Sequence, residues 1–584
     1  MGINIKLGAC DKISEYKNDI SLVICGAAGQ GIATVEELLT AILRLAGYNS
    51  YSTSEFMSRI RGGTNSTVIR ISSKRATAFL DRIDVLIPLS PEAMRHVKGR
   101  ISSDTTILAE ENNIDTELIK NPENTIKIPF TDIAMEIGGK IYSNIIAVGV
   151  LAALFRIPEE FPANHIKSRF ATKGESVVEK NIAAIKKGYT IGKELYESNK
   201  IRITVPTDDS IKNNIFLSGT QSIGLGAIAA GVNFISSYPM SPSTGVLVFL
   251  SQKAKDFDII IDQAEDEIAA INKGVGAWYA GARAMITTSG GGFALMTEGL
   301  SLVGMIESPM VLHIAQRPGP ATGLPTRTGQ EDLTHVVNAA HGEFARVVYA
   351  PGTPEDGFYL TQKAFNIADR YQIPVFILTD QFFVDSHYSI PNLDVSKTKN
   401  KKYFIKTESG YQRYKLTENG VSPRGIPGYG DGVVNVDSDE HTEDGHITED
   451  VHYLRPKMVE KRLYKKHKLL VAEAIEPELI GSENYKILVI GWGSNYSVIK
   501  EALEELNKNE IAFLYFKQVY PINKKALDYL KKAQITIIVE NNATSQFGKL
   551  LKTDLNFNVN KQLLKYNGMP FSVEEVKKYL EEAV

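Results

Sequence analysis

Cysteine is nearly absent from this chain: Cys10 and Cys25 are the two among 584 residues. Two thiols exclude a self-contained four-thiolate iron–sulfur or zinc site, so any cluster that the chemistry needs must sit on another polypeptide. A dominant charge is missing too. The 65 Lys and Arg against 68 Asp and Glu leave a formal charge of -3, which offers no basic field to nucleic acid. Long apolar runs are also lacking: the opening MGINIKLGACDKISEYKNDI has no signal core, and nowhere do about twenty uncharged apolar residues follow one another. Neither nucleic acid nor a membrane is an expected partner, and a cytoplasmic location is expected.

What is present is ordinary globular material, 43% hydrophobic and 23% charged, in a chain long enough for about three or four domains. SLVICGAAGQGIATVEELLTAILRLAGY reads as an apolar strand, a glycine turn and an amphipathic helix, the opening unit of an α/β domain. That domain is expected over 1–198, followed by a polar linker at 199–212. A second α/β domain, 213–388, alternates strands such as ARAMITTS and MVLHIAQ with Gly- and Ala-rich helices, and a parallel sheet covered on both faces is expected. Residues 389–470 have few apolar runs and read as a long ordered connection. A third α/β domain, 471–584, opens at KILVIGWGSN. The fold class is therefore α/β, three domains with mostly parallel sheets.

Two motifs stand where open α/β sheets bind ligands, at the carboxyl ends of strands. In SSYPMSPST two prolines flank Ser241 after a strand, either presenting its hydroxyl or simply making a rigid turn. In QAEDEIAAINKGVGAWYAGARAMITTSGGG three acids, Glu265, Asp266 and Glu267, precede a small-residue helix, where capping alone would explain them. The GAAGQG turn would aim backbone amides at a phosphate, or merely pack tightly; Ala28 replaces the middle glycine of the dinucleotide fingerprint. Gly430-Asp431-Gly432 imitates a diphosphate-binding motif but follows no apolar strand. Asp437, Asp439, Glu440, His441, Glu443 and His446 read as a solvated acidic loop in preference to a cation site, and no metal site is assigned.

The order YPMSPST, EDEIAA, GARAMITTSGGG, HIAQRPGPATGLPTRTGQEDL resembles the α subunit of 2-oxoacid:ferredoxin oxidoreductases, and GAAGQG with SRIRGGTNS is similar to their γ subunit, here fused ahead of α. The likeness continues through SPRGIPG, DEHTEDGHITED and YNGMPFSVEEV, nearly the whole chain. It implies a γ-type domain, a pyrimidine-binding domain for thiamine diphosphate, and a C-terminal domain like that of transketolase. It also implies a β partner carrying the diphosphate-binding domain, Mg²⁺ and an iron–sulfur cluster, with coenzyme A as co-substrate, ferredoxin as acceptor and a dimer of αβ units.

The resemblance assigns roles residue by residue. Thiamine diphosphate needs a buried carboxyl at N1′ of its aminopyrimidine. That role falls on Glu267, with Glu265 as second choice; Tyr238, Pro239, Ser289 and Gly290 complete the coenzyme side. Arg317 matches the arginine that binds the substrate carboxylate, and Arg327 is the candidate for the far end of a dicarboxylic acid; a guanidinium fork suits both. Ser241 stands where the family has a hydroxyl-bearing threonine. Gly29, Gln30, Gly31 and Arg61 fall on the coenzyme A side. Among substrates the resemblance favours 2-oxoglutarate, with pyruvate and branched-chain 2-oxoacids as alternatives. Two other readings compete: a thiamine-dependent transketolase or dehydrogenase component, which needs no N-terminal γ-like domain, and a nucleotide-binding regulatory protein built on GAAGQG.

Overall fold

The computed structural model describes residues 14–57 and 63–583, which divide into two compact units. The first comprises the chain to Leu217 together with Ser386–Asn392. Its eight-stranded sheet runs in the order Thr125–Lys127, Thr106–Ala109, Val85–Pro88, Asp19–Ala27, Thr64–Ser72, Asn49–Glu55, His387–Ile390, Ile215–Ser218. The first four strands are parallel; Thr64–Ser72 turns the sheet antiparallel. Helices Ser143–Leu154 and Glu175–Glu197 pack backbone to backbone, because a Cβ on Gly149 or Gly188 would strike a carbonyl of the facing helix.

Two features differ from the sequence boundaries. The stretch expected as a linker, 199–212, carries the strand Ile201–Thr204, paired in parallel with Ser14–Lys17. The ends of the 213–388 segment, Ile215–Ser218 and His387–Ile390, extend the first unit's sheet. Side-chain fit explains the second: Tyr388 and Ile390 are buried, and His387 stacks on Phe216 while its Nδ1 lies 3.3 Å from Glu36. A short apolar strand announces itself in a sequence, but not which sheet it joins.

The second unit holds two sheets. Seven strands run in the order Ile260–Gln263, Phe234–Ser237, Ala284–Thr288, Met310–Gln316, Pro374–Asp380, Val347–Tyr349, Gln518–Tyr520, all parallel but the last. Five more form Glu478–Gly481, Ile511–Phe516, Ile487–Trp492, Ile535–Glu540, Lys561–Leu564, parallel apart from the first. The two sheets share one apolar core, which runs from Ile235 and Ile286 to Ile490, Leu514 and Phe547. No single helix among the described residues is long and apolar enough to cross a membrane.

The long connection is fastened by buried charge. Lys461 and Lys466, each 1% exposed at the side chain, both pair with the equally buried Glu307, Lys466 at 2.6 Å. Burial raises the Glu307 carboxyl, but Lys461, Lys466 and Arg413 outweigh it and hold the group well below its ordinary range. Arg424 of SPRGIPG joins Arg283 of GARAM on the buried Asp369. The acidic stretch is solvated only in part: Asp439 and His446 are exposed, but His441 is fully buried and stacks on Tyr414 at 3.7 Å, and Glu440 accepts from Arg462 at 2.7 and 2.8 Å. Acidic composition misled because the balancing cations lie about twenty residues away along the sequence.

Removing one partner of a buried charge cluster strands the others. Lys461→Met is expected to destabilise the second unit by about 3 kcal/mol, seen as a lowered calorimetric midpoint; an unchanged midpoint would show that the cluster does not fasten the connection.

Candidate functional site

The parallel strands of the second unit deliver the motif residues to one sheet edge. Phe234–Ser237 leads into Tyr238, Pro239 and Ser241; Ile260–Gln263 into the acids; Ala284–Thr288 into Ser289 and Gly290; Met310–Gln316 into Arg317. These four strands are neighbours, so their carboxyl ends lie side by side, the ligand-binding edge of an open α/β sheet. Behind that edge His313 spans the sheet, Nδ1 to Thr287 Oγ1 and Nε2 to Thr379 Oγ1, both 2.8 Å. Burial pushes this imidazole down to about 3, so it is a neutral bridge.

The three acids have three separate fates. Asp266 is the N-cap of helix Glu267–Tyr279, accepting from the Ala269 amide at 2.7 Å. Glu265 is exposed and paired with Lys273 at 2.9 Å. Glu267 turns inward: it is 3% exposed, and its Oε1 is buried with no hydrogen-bond partner. Capping explains one acid, surface pairing another, and neither explains Glu267.

The triglycine turn after Ala284–Thr288 leaves room for two carboxyls. A Cβ on Gly292 would lie 2.7 Å from Glu267 Oε1, and one on Gly290 would collide with the carboxyl of Asp332. Asp332 Oδ2 and Ser289 Oγ are also buried without partners. Unsatisfied buried polar atoms are rare in folded proteins, and three are gathered at this one turn.

Arg317 donates from Nη1 to the Ser241 carbonyl at 2.8 Å, so the structure brings these two predicted residues together. Ser241 and Tyr238 are exposed, and Arg317 is half-buried. Arg327 is placed differently, with Nη1 3.7 Å from Met569 Sδ and its stem against Gly568 of the closing YNGMP motif. Between the two arginines and the helix that follows, the loop is anchored by Gln330, which sequence reasoning passed over. Its amide donates to the Asn541 carbonyl at 2.7 Å, its Nε2 donates to the Trp492 carbonyl at 3.1 Å, and its Oε1 accepts from the Asn541 amide and Asn495 Nδ2, both 3.0 Å. Asp332 was passed over as well; an acid two residues beyond a glutamine carries no sequence signal of burial.

In the first unit, Gly29, Gln30 and Gly31 line a cavity of about 680 Å³ with Lys140, Tyr142 and Asn144. Gly29 and Gly31 have φ of 87° and 78°, and Gly31 caps helix Ile32–Leu45. The Gln30 side chain folds back to accept from the Ala27 amide at 2.8 Å, so it braces the turn. Arg61 lies outside the described residues. In the second unit Gly430-Asp431-Gly432 is tied to Thr407, with the Asp431 amide donating to the Thr407 carbonyl at 2.8 Å.

Gly290→Ala should destabilise the second unit by about 1–3 kcal/mol through overpacking against Asp332. The double substitution Gly290→Ala with Asp332→Ala is expected to recover much of that loss; simple additivity in a denaturant cycle would show that the two groups do not meet.

Known proteins share both the sequence and the fold. Residues 225–461 match the model described as pyruvate flavodoxin/ferredoxin oxidoreductase, thiamine diP-bdg, and residues 21–191 match pyruvate ferredoxin/flavodoxin oxidoreductase. A 2-oxoacid:ferredoxin oxidoreductase subunit alpha from Sulfolobus sp is 31% identical, covering 96% of each chain. The 2-oxoglutarate oxidoreductase subunit KorA of Mycobacterium tuberculosis is 25% identical over 97% of this chain and 92% of its own. A solved 2-oxoglutarate:ferredoxin oxidoreductase from Magnetococcus marinus, with 2-oxoglutarate, coenzyme A and succinyl-CoA bound, superposes with a TM-score of 0.90 at 29% identity, over 97% of this chain and all of the other. The chain therefore belongs to the 2-oxoacid:ferredoxin oxidoreductases, as an alpha-type subunit with that family's thiamine-diphosphate-binding domain.

Proposed function

We propose that this subunit recognises 2-oxoglutarate and positions it for oxidative decarboxylation to succinyl-coenzyme A, with ferredoxin as electron acceptor. The observation that carries the reading is the buried, unpartnered Oε1 of Glu267 beside a glycine turn, at the sheet edge where Arg317 meets Ser241. Thiamine diphosphate, when bound, supplies the carbon nucleophile and the electron sink that amino acids lack. The residues fit it: Glu267 offers the carboxyl oxygen that N1′ of an aminopyrimidine requires, and Tyr238, Pro239, Ser289 and Gly290 border the same edge. Glu265 is the weaker candidate because Lys273 and solvent already satisfy it.

Each remaining group has a separable task. Glu267 holds the proton at N1′. Arg317 holds the substrate's 1-carboxylate with its planar fork, and the Ser241 hydroxyl contacts the 2-oxoacid beside it. Arg327 is the candidate for the distal carboxylate of a dicarboxylic acid. The choice of 2-oxoglutarate over pyruvate or a branched-chain acid is supported by what the Magnetococcus structure contains and by the names of the KorA relatives. Coenzyme A is assigned to the Gly29–Gly31 cavity, whose loop amides at a helix N-terminus suit phosphate. Mg²⁺, the diphosphate and an iron–sulfur cluster are assigned to a β partner, in a dimer of αβ units, since this chain has two cysteines and its one GDG sequence is engaged elsewhere.

The test is coenzyme-A-dependent viologen reduction by the anaerobically assembled complex with 2-oxoglutarate, pyruvate and 2-oxoisovalerate. Reduction favouring 2-oxoglutarate is expected; preference for another acid overturns the substrate assignment. Glu267→Gln should lower kcat by at least about 100-fold with assembly intact. Loss of that size in Glu265→Gln instead would move the N1′ role to Glu265.

A further inference from the structure

The cavity of the first unit contains a buried polar atom for which the fold has no use. Asn181 lies on helix Glu175–Glu197 and is only 4% exposed, yet it lines the same space of about 680 Å³ as Gly29–Gly31. Its Nδ2 donates to the Val177 carbonyl, one turn back, at 2.7 Å. A carbonyl can only accept, so the orientation of the amide is fixed and Oδ1 is the atom left over. That oxygen has no hydrogen-bond partner among the described residues. A buried acceptor without a donor is costly, and on a cavity wall the N–H of a ligand can supply one.

The rest of the lining offers two kinds of surface. Phe130, Tyr142 and Phe170 are aromatic. The GAAGQG loop offers backbone amides, because helix Ile32–Leu45 begins at Gly31 with no capping side chain. Asn144 Nδ2 donates to the Gln30 carbonyl and so holds that loop to helix Ser143–Leu154. Lys140 is the cation of the lining, and its acid, Glu110, is already engaged: Oε1 accepts from the Thr131 amide at the start of helix Phe130–Ile137. A space of this size takes a nucleotide, whose flat base suits aromatic walls and whose phosphates suit loop amides and a lysine.

We propose that this cavity encloses the nucleotide end of coenzyme A, with Asn181 Oδ1 accepting from the exocyclic amine of the adenine. This rests on the reading that coenzyme A binds at the Gly29–Gly31 cavity, and adds which end enters and which residue reads it. The pantetheine arm also carries amide N–H groups, so the reaction decides between the ends. The thiol has to reach the acyl group at the sheet edge of the second unit, whereas the lining residues all belong to the first. A thiol enclosed among them would be withheld from its reaction. Asn181 then selects the base: an amine donates to Oδ1, whereas a keto oxygen in its place sets acceptor against acceptor.

The experiment is calorimetric titration of the assembled complex with adenosine 3′,5′-diphosphate and with its inosine counterpart, alongside KM for coenzyme A and for deamino-coenzyme A, in the native chain, Asn181→Leu and Val177→Trp. The native complex should bind the adenine form about tenfold more tightly. Asn181→Leu should bind the two forms alike, near the native affinity for the inosine form. Equal native affinity for the two bases, or no binding of adenosine 3′,5′-diphosphate, overturns the proposal, and that comparison needs no variant. A preference for adenine that survives in Asn181→Leu also overturns it, by moving the recognition to another residue. Val177→Trp, which fills the cavity, separates the two readings. An unchanged KM for coenzyme A in that variant takes the coenzyme out of the cavity and the proposal with it. A raised KM there, with no native preference between the bases, keeps coenzyme A in the cavity and overturns the adenine assignment alone.

Discussion

Taking a carboxyl out of water without giving every oxygen a partner costs free energy that a fold has to recover elsewhere. The second unit does this twice around three consecutive glycines, with Glu267 at Gly292 and Asp332 at Gly290. Much of the surrounding structure answers to that constraint. Asp266 takes the capping duty, so Glu267 is released to turn inward from the first helical position. His313 fixes the three central strands to one another with hydroxyl bonds and carries no charge. The glycines themselves are required because a Cβ at Gly290 or Gly292 would displace one acid or the other.

A loop that presents an arginine needs a rigid base, and here the base is a different sheet. Gln330 spends its backbone amide and both polar atoms of its side chain on Trp492 and Asn541, at the ends of two strands of the five-stranded sheet, and on Asn495, the first residue of the helix that follows one of them. The Thr328 amide donates to the Gly568 carbonyl at 3.1 Å, adding a further anchor from the closing motif. The 317–332 segment is thus a bridge between the two sheets of one unit, and the placement of Arg317 inherits the rigidity of both. Direct readout of a planar carboxylate depends on such pre-organisation more than on the number of contacts.

What could be read from the sequence was set by periodicity and by local motif. Strands such as ARAMITTS and MVLHIAQ, the glycine turn of GAAGQG and the helix after EDEIAA all stand where their patterns put them, and the α/β class with mostly parallel sheets followed from them. Three kinds of information were not local. Sheet membership of Ile215–Ser218 and His387–Ile390 depends on tertiary fit. The burial of His441 and the pairing of Glu440 depend on Tyr414 and Arg462, distant in sequence. The separation of Glu265 from Glu267 depends on where the helix begins: Glu265 precedes the Asp266 cap and faces Lys273 and solvent, whereas Glu267, the first helical residue, faces the interior.

The five-stranded sheet has an edge of its own where a ligand would be sought, and it is filled from within. Glu540 ends the strand Ile535–Glu540 before helix Gln546–Leu555, where backbone amides would ordinarily attract an anion. Its fully buried carboxylate takes the Phe547 amide at 3.0 Å, the Gly548 amide at 3.1 Å, Ser545 Oγ at 3.1 Å and Asn542 Nδ2 at 2.8 Å. An anion supplied by the chain leaves those donors nothing to offer a phosphate or carboxylate from solution. The contrast with Glu267 and Asp332 lies in how the polar atoms are satisfied: the same residue types, buried at the same kind of strand end, are saturated in one sheet and left open in the other. The saturated sheet serves as the support for Gln330, and the open one is where a ligand can still be received.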